Sequence, residues 1–287
     1  MSADPVGLET AARPWARRRS RAAQLRARHA FADEVLTLYL ALLDVQEDAW
    51  TRARESPPRA EEIVPWAAAR ILPAVVEVTL ASGPAALGEA ASGRLGQAAA
   101  EGALAGWLAG AELDPVDRYL ARASLGPVLE ALGEDAEDVC VPQGDPEHRH
   151  RCPGCGGLPQ LSVLADAGEE LVTGPRNLLC CRCGTDWQCS RSTCPACGGS
   201  EEEQLQVYAE QLEGPVSGNG KRDGDAPPVF PHLRIAGCSA CRRYLIEVDM
   251  ARDPRAVPEV DELAALPLDL YAADQGLTKV TPNLMGF

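Results

Sequence analysis

Eight cysteines of this chain fall into four Cys-x-x-Cys pairs, Cys152/Cys155, Cys180/Cys183, Cys194/Cys197 and Cys238/Cys241, within one segment of the C-terminal half. A CxxC loop puts two thiolates on one side of a tight turn, and two such loops facing each other supply the four sulfurs of a tetrahedral metal site. Four pairs therefore predict two sites. The surrounding residues fit the same chemistry. Cys152-Pro153-Gly154-Cys155-Gly156 and Cys194-Pro195-Ala196-Cys197-Gly198 each combine a Pro that stiffens the turn with a Gly free to take positive φ. That backbone geometry turns N–H groups toward the sulfurs. Gly184 follows the second pair, but Arg242 follows the fourth, so the fourth knuckle is expected to be the least regular and its N–H to sulfur contact to be in doubt.

Other uses of the thiols fit less well. Eleven cysteines is an odd number, the 287-residue chain is far longer than the small secreted scaffolds that disulfides staple, and no signal-peptide pattern opens it. One CxxC would suffice for thioredoxin-like exchange, whereas four in series in a Gly- and Pro-rich region read as ligands. Cys181 and Cys189 add thiols near the second knuckle and are read as incidental or structural, with ligand exchange at that site as the alternative, while Cys140 falls in the segment read as a linker. His148 and His150, beside the first knuckle, are read as surface histidines because each site already has four Cys.

The elements that must position these knuckles follow from patterning. Ala and Leu supply most of the apolar residues and aromatics are only 5%, which favours helices. Residues 1–29 read as a basic N-terminal arm: positions 13–28 hold seven arginines and no acid. Arg17-Arg18-Arg19 hints at a twin-arginine signal, but the apolar stretch such a signal needs is missing. Residues 30–140 read as an all-α bundle. Phe31, Val35, Leu38, Tyr39, Leu42 and Trp50 form one helical stripe, ended by Ser56-Pro57-Pro58. Ile63, Trp66, Ile71, Val75 and Val78 form another, kinked at Pro73, and the Ala/Gly-rich residues 85–113 suggest close helix packing. Asp114-Pro115 starts a last helix that stops at Gly133.

A linker is expected between Glu134 and Arg151, then the cysteine module over 151–250 with β-type runs at Leu158–Leu164 and Tyr244–Val248. An acidic loop or hairpin is expected over Glu201–Pro228, around Gly218-Asn219-Gly220. Residues 251–287 read as a C-terminal helix, ended by Gly276, and a tail. The fold class is thus α+β, a helical bundle followed by a double-knuckle module and a C-terminal helix. No uninterrupted apolar run reads as a membrane span. A net charge of −15 argues against nucleic acid and anionic lipid as partners.

The order of features, CPxCG, then Arg176-Asn177-Leu178-Leu179-Cys180-Cys181-Arg182-Cys183 with Asp186-Trp187, a further CPxCG, Leu233-Arg234-Ile235-Ala236-Gly237-Cys238 to Cys241, and the Asp261-Glu262-Leu263-Ala264 and Pro282-Asn283-Leu284 segments, resembles the FdhE family of formate dehydrogenase accessory proteins. The resemblance is specific from residue 151 onward. It implies a cytoplasmic protein with two rubredoxin-like (zinc-ribbon-like) sites able to hold iron, and a role in maturing formate dehydrogenase through contact with its catalytic subunit. Two mononuclear metal ions in four-cysteine sites are expected as cofactors, iron by resemblance and zinc as the alternative, since all-sulfur sites accept either. Pairing in chain order, Cys152, Cys155, Cys180 and Cys183 in one site and Cys194, Cys197, Cys238 and Cys241 in the other, matches two rubredoxin-like units; interleaving is the alternative.

No phosphate-binding Gly-rich loop or GxSxG element appears, so a maturation factor rather than an enzyme is expected. Rubredoxin-type electron transfer is the runner-up, a zinc-ribbon nucleic-acid binder a weaker third reading, and a homo-oligomer is left open.

Overall fold

The computed structural model of the chain describes residues 5–140, 150–166, 174–201, 204–210 and 228–287. Seven longer helices form the N-terminal half: α1 (Pro5–Arg28), α2 (Asp33–Glu55), α3 (Ile63–Arg70), α4 (Leu72–Ser82), α5 (Ala85–Ser92), α6 (Gln97–Ala109) and α7 (Pro115–Leu132). Helix α2 is central, packing on α1, α4 and α7. Of the stripe read from the sequence, Leu38, Tyr39 and Leu42 are buried, Val35 and Trp50 are half-buried and Phe31 is exposed ahead of the helix, while Leu36 and Leu43 add to the buried face. Asp114 caps α7 by accepting from Val116 N at 2.9 Å, with Pro115 at the first helical position where no N–H is missed. The stripe around Pro73 is two helices rather than one kinked helix, broken at Ile71, so that Pro73 opens α4. By length and mean composition residues 60–82 are apolar enough to cross a membrane, although Arg70 and Glu77 interrupt them, so the apolar run there is not continuous. In the fold they bend at that break and bury Ile63, Ala67, Leu72, Val75 and Val76 in the bundle.

The arginine-rich N-terminal segment differs from the expected arm: it is helix α1, with Trp15, Ala22 and Leu25 in the core. The physical reason lies far along the chain. Arg21, only 4% exposed, donates from Nε to both carboxylate oxygens of Asp261 at 3.0 and 2.9 Å, and from Nη2 to Asp253 at 2.9 Å. Asp261 also meets His232 Nε2 at 2.7 Å and accepts from Val257 N at 2.8 Å. Arg18 bridges Glu130 of α7 and Glu259. An arginine buried against such partners joins elements that sequence reading treats as separate.

The C-terminal half is one mixed sheet of β1 (Pro159–Leu164), β2 (Arg176–Cys180), β3 (Asp186–Gln188), β4 (Leu205–Ala209), β5 (Leu233–Cys238), β6 (Arg243–Asp249) and β7 (Thr278–Lys279). Its order is β3-β2-β1-β6-β5-β4, with β7 beside β6. This is a duplicated design. β1-β2-β3 and β4-β5-β6 are each antiparallel meanders, and the parallel pairing of β1 with β6 joins them edge to edge. β4 lies within the stretch expected as a loop or hairpin; the Gly218-Asn219-Gly220 segment and His148 lie outside the described residues. One face of β5 and β6, carrying Leu233, Ile235, Tyr244, Ile246 and Val248, packs into the same core as α1, α2 and α4. The expected single C-terminal helix is instead α8 (Pro258–Asp261), a 3-10 turn over Glu262–Ala264, and α9 (Leu266–Asp274), with Pro258 and Pro267 each opening a new helical segment.

Candidate metal centres

Each meander carries its own pair of knuckles: one CxxC precedes the first strand and the other forms the turn between the second and third. The backbone closes them alike. Gly156 N donates to Cys152 O at 2.9 Å, Gly198 N to Cys194 O at 2.9 Å and Arg242 N to Cys238 O at 2.9 Å. Because β1 and β6 run parallel, both knuckle pairs fall at the same end of the sheet.

The structure brings the sulfurs of Cys152, Cys155, Cys180 and Cys183 within 4.8 Å of one another, and likewise those of Cys194, Cys197, Cys238 and Cys241. The grouping is in chain order, not interleaved. Individual separations are 3.6 Å for Cys152 to Cys183, 3.3 Å for Cys155 to Cys180 and 3.8 Å for Cys194 to Cys241. A disulfide would bring two sulfurs to about 2.05 Å. Four sulfurs about 2.3 Å from a central ion stand about 3.8 Å apart along the tetrahedron's edges. The observed distances match the second geometry, and the all-sulfur donor set suits zinc or iron.

The knuckle backbones are arranged to favour thiolate. Arg182 N points to Cys180 Sγ and Ala196 N to Cys194 Sγ, each at 3.4 Å. The fourth knuckle departs from expectation here. Arg242 takes φ 58°, alongside 67°, 71° and 75° at Gly156, Gly184 and Gly198. Burial opposes ionisation of Cys238, yet the N–H groups of Cys241 and Ala240 hold its thiol below the ordinary range. The left-handed conformation strains a residue with a Cβ. Arg242 offsets that by donating to the carbonyls of Gln275 and Gly276, which fasten the C-terminal segment to the knuckle.

The two clusters differ in setting. All four sulfur-bearing residues of the first are buried, packed with Leu104, Trp107, Leu125 and Leu129 of α6 and α7. In the second, Cys197 is exposed and Cys241 half-buried. With no cation among them, the thiols of the first cluster shift one another's ionisation in opposite directions. Hydrogen bonds from Cys152, Cys155 and Cys180 push Cys183 far down, while Cys152 rises through its bond to Cys155, and Cys155 rises to about 12 chiefly through Cys140. Four thiols so close cannot all ionise without a cation among them.

Sequence reading missed what surrounds this cluster. Cys140, taken as part of the linker, is buried in the same core as the cluster, and its neighbour Cys155 holds its thiol below the ordinary range. Cys181 is buried too, its thiol held down to about 7 by hydrogen bonding to Cys180 and by Arg122 and Arg182. Arg182 ties the second knuckle to the first and to α6, donating to Cys155 O at 3.3 Å and Leu108 O at 3.4 Å. Cys189 instead joins Leu178, Leu245 and Val280 in a small core on the other face of the sheet. His150 lies near Gly198 of the third knuckle, not in the first cluster.

The comparisons with known proteins converge on one family. Residues 223–285 match the model described as FdhE, C-terminal domain. The chain is 31% identical over 139 residues to a Protein FdhE homolog of Aquifex aeolicus, covering 48% of this chain and 42% of that one. It is 32% identical over 139 residues to the Protein FdhE homolog of Pseudomonas aeruginosa, covering 48% and 40%. The resemblance to the FdhE family holds. The fold agrees over nearly the whole length: the crystal structure of the FdhE protein from Pseudomonas aeruginosa superposes with a TM-score of 0.63 at 24% identity, covering 94% of this chain and 95% of that one. The sequence matches span less than half the length of these curated FdhE relatives.

Proposed function

We propose that this chain is an accessory protein of formate dehydrogenase that binds the enzyme's catalytic subunit through its metal-held cysteine module and acts before that subunit is complete. The carrying observation is the FdhE C-terminal match over residues 223–285, which contains the fourth knuckle of a two-cluster sheet. Cys152, Cys155, Cys180 and Cys183 hold one ion and Cys194, Cys197, Cys238 and Cys241 the other. Each ion supplies cross-linking of two knuckles and, if it is iron, a one-electron couple. With four sulfurs each, neither site leaves a position for substrate, which favours a binding protein over an enzyme. A cytoplasmic place of action, and no nucleic-acid or membrane partner, belong to the same reading; the net charge of −15 supports the former exclusion.

The test is a strain lacking the protein, complemented with wild type, Cys152→Ser or Cys197→Ser. Formate dehydrogenase activity should fall with either variant while transcription of the enzyme is unchanged, and capture of the catalytic subunit should fall in parallel. Normal formate oxidation in the strain lacking the protein would sink this reading. One observation favours electron transfer as a second reading: Cys197 gives the second cluster an exposed edge. A reversible one-electron couple on the anaerobically purified protein, with metal analysis showing iron, would support it.

A further inference from the structure

A cavity of about 190 Å³ lies against the second cysteine cluster, with Cys194 in its wall. Strand alternation builds much of it. Arg234 of β5 and Arg243 and Glu247 of β6 alternate with the side chains that enter the bundle core. Arg176 at the start of β2 and Arg191 just before the third knuckle complete the lining. Four guanidinium groups thus line one cavity of a chain whose net charge is −15. The carboxylate among them is already engaged: Glu247 accepts from Arg234 Nε at 2.7 Å and from Ser162 Oγ at 2.9 Å.

Two of the arginines are under-bonded. Arg176 is 5% exposed; its Nη1 donates to Ser190 O at 3.3 Å and Thr193 O at 3.2 Å, while Nε and Nη2 are buried with no partner. Arg243 Nη2 donates to Val280 O at 2.9 Å, and its Nε is likewise buried without a partner. A buried ionised donor without an acceptor keeps the full cost of losing its water. The Nε–Nη2 edge of a guanidinium is also a fork that two oxygens of an anion can occupy together. We propose that this cavity binds a tetrahedral oxyanion of the phosphate class, with Arg176 and Arg243 as its main donors and the exposed Arg191 at its entrance. Donors on two separate strands suit a tetrahedral anion better than a planar carboxylate. The site is independent of the formate dehydrogenase reading and stands or falls on binding alone.

The experiment is calorimetric titration of the full-length, metal-loaded chain with inorganic phosphate at fixed ionic strength, with chloride and acetate as comparison anions. Phosphate should bind saturably at one equivalent, with acetate about tenfold weaker or more, and Arg243→Gln and Arg191→Gln should each weaken phosphate about tenfold. Arg52→Gln, exposed on α2 where Arg52 pairs with Asp48, should leave it unchanged. Arg176→Gln should abolish binding; since Arg176 also holds the third knuckle, the other two variants carry the test if it does not fold. Nucleoside mono- and diphosphates distinguish the sources. Tighter binding than phosphate assigns the site to a phosphoryl group on a larger ligand, and equal or weaker binding assigns it to free phosphate. Heats no different from those of chloride, or phosphate binding untouched in Arg243→Gln and Arg191→Gln, would overturn the proposal.

Discussion

Gly157→Ala should damage the first metal centre and leave the second intact. A Cβ at Gly157 would stand 2.8 Å from Cys180 Sγ and 3.2 Å from Cys155 Sγ, against an ordinary contact of 3.4–4 Å. Those sulfurs cannot swing aside, because they belong to a buried four-sulfur cluster whose backbone turns are hydrogen-bonded shut. Relief must come from the knuckle backbone or from the sulfur positions. Overpacking a tight interior costs about 1–3 kcal/mol, which corresponds to about 5- to 150-fold in metal affinity if it falls wholly on the loaded form. Gly154→Ala is the matched control, since its Cβ would lie 4.0 Å from Cys152 Sγ, an ordinary contact. Gly199→Ala probes the equivalent position of the second cluster. There the near atoms are the flexible Gln204 side chain at 3.2 Å and Cys197 Sγ at 3.5 Å, so little change is expected. Competition with a chelator, followed through the charge-transfer bands of Co(II)-loaded protein, resolves the two sites. Equal affinity in Gly157→Ala and wild type, or an equal loss in Gly154→Ala, would refute the claim that close sulfur contact governs this position.

The remaining expectations concern the other joints of the molecule. Arg242→Gly removes the strain of a non-Gly residue at φ 58° and also the bonds to Gln275 and Gly276, so metal affinity of the second cluster should hold while amide exchange at Thr278 and Val280 quickens; a loss of metal affinity would show that the side chain, not the backbone angle, makes the knuckle. Asp261→Ala strands the buried Arg21 and should lower unfolding stability by about 3–5 kcal/mol in urea titration, whereas a change under about 1 kcal/mol would mean that Asp253 suffices as partner. A chelator added to the loaded chain should strip the second cluster before the first, because Cys197 is exposed and all four cysteines of the first are buried, and simultaneous release would contradict this ordering.

The parts of the fold legible in the sequence were those written in short-range pattern. The α2 stripe, the Asp114-Pro115 helix start, the Gly133 stop and the strands flanking the first and fourth knuckles all follow from residues within a few positions of one another. Each CxxC knuckle was legible for the same reason, whereas chain-order grouping rested on the match to two rubredoxin-like units, since the knuckles that meet lie 25 or more residues apart. Strands β2 to β5 were harder: β3 has only three residues, and β4 is half exposed on the sheet's edge, so neither shows a buried alternation. Arg242 was misjudged because a left-handed angle is usually bought with glycine, and here a tertiary tie to the C-terminal segment does the same.

What no local pattern carries is the joint between the two halves. A run of arginines without acids reads as a solvated arm because the acids that neutralise it, Glu130, Asp253, Glu259 and Asp261, are scattered over the rest of the chain. The same joint changes what metal loss means. If bundle and knuckle module were separate, chelation would unfold residues 151–250 and spare the helices. Instead, Leu104, Trp107, Leu125 and Leu129 share one buried core with the four cysteines of the first cluster, and Ile235, Ile246 and Val248 share a core with Leu36 and Leu42. Removing the first ion therefore loosens the wall against which α6 and α7 are packed. In a Cys152→Ser chain, which keeps only the second four-cysteine set, hydrogen-exchange protection in those two helices should fall with that in β1 and β2 while the second meander keeps its own; helices that keep full protection there would show that their packing stands without the first metal.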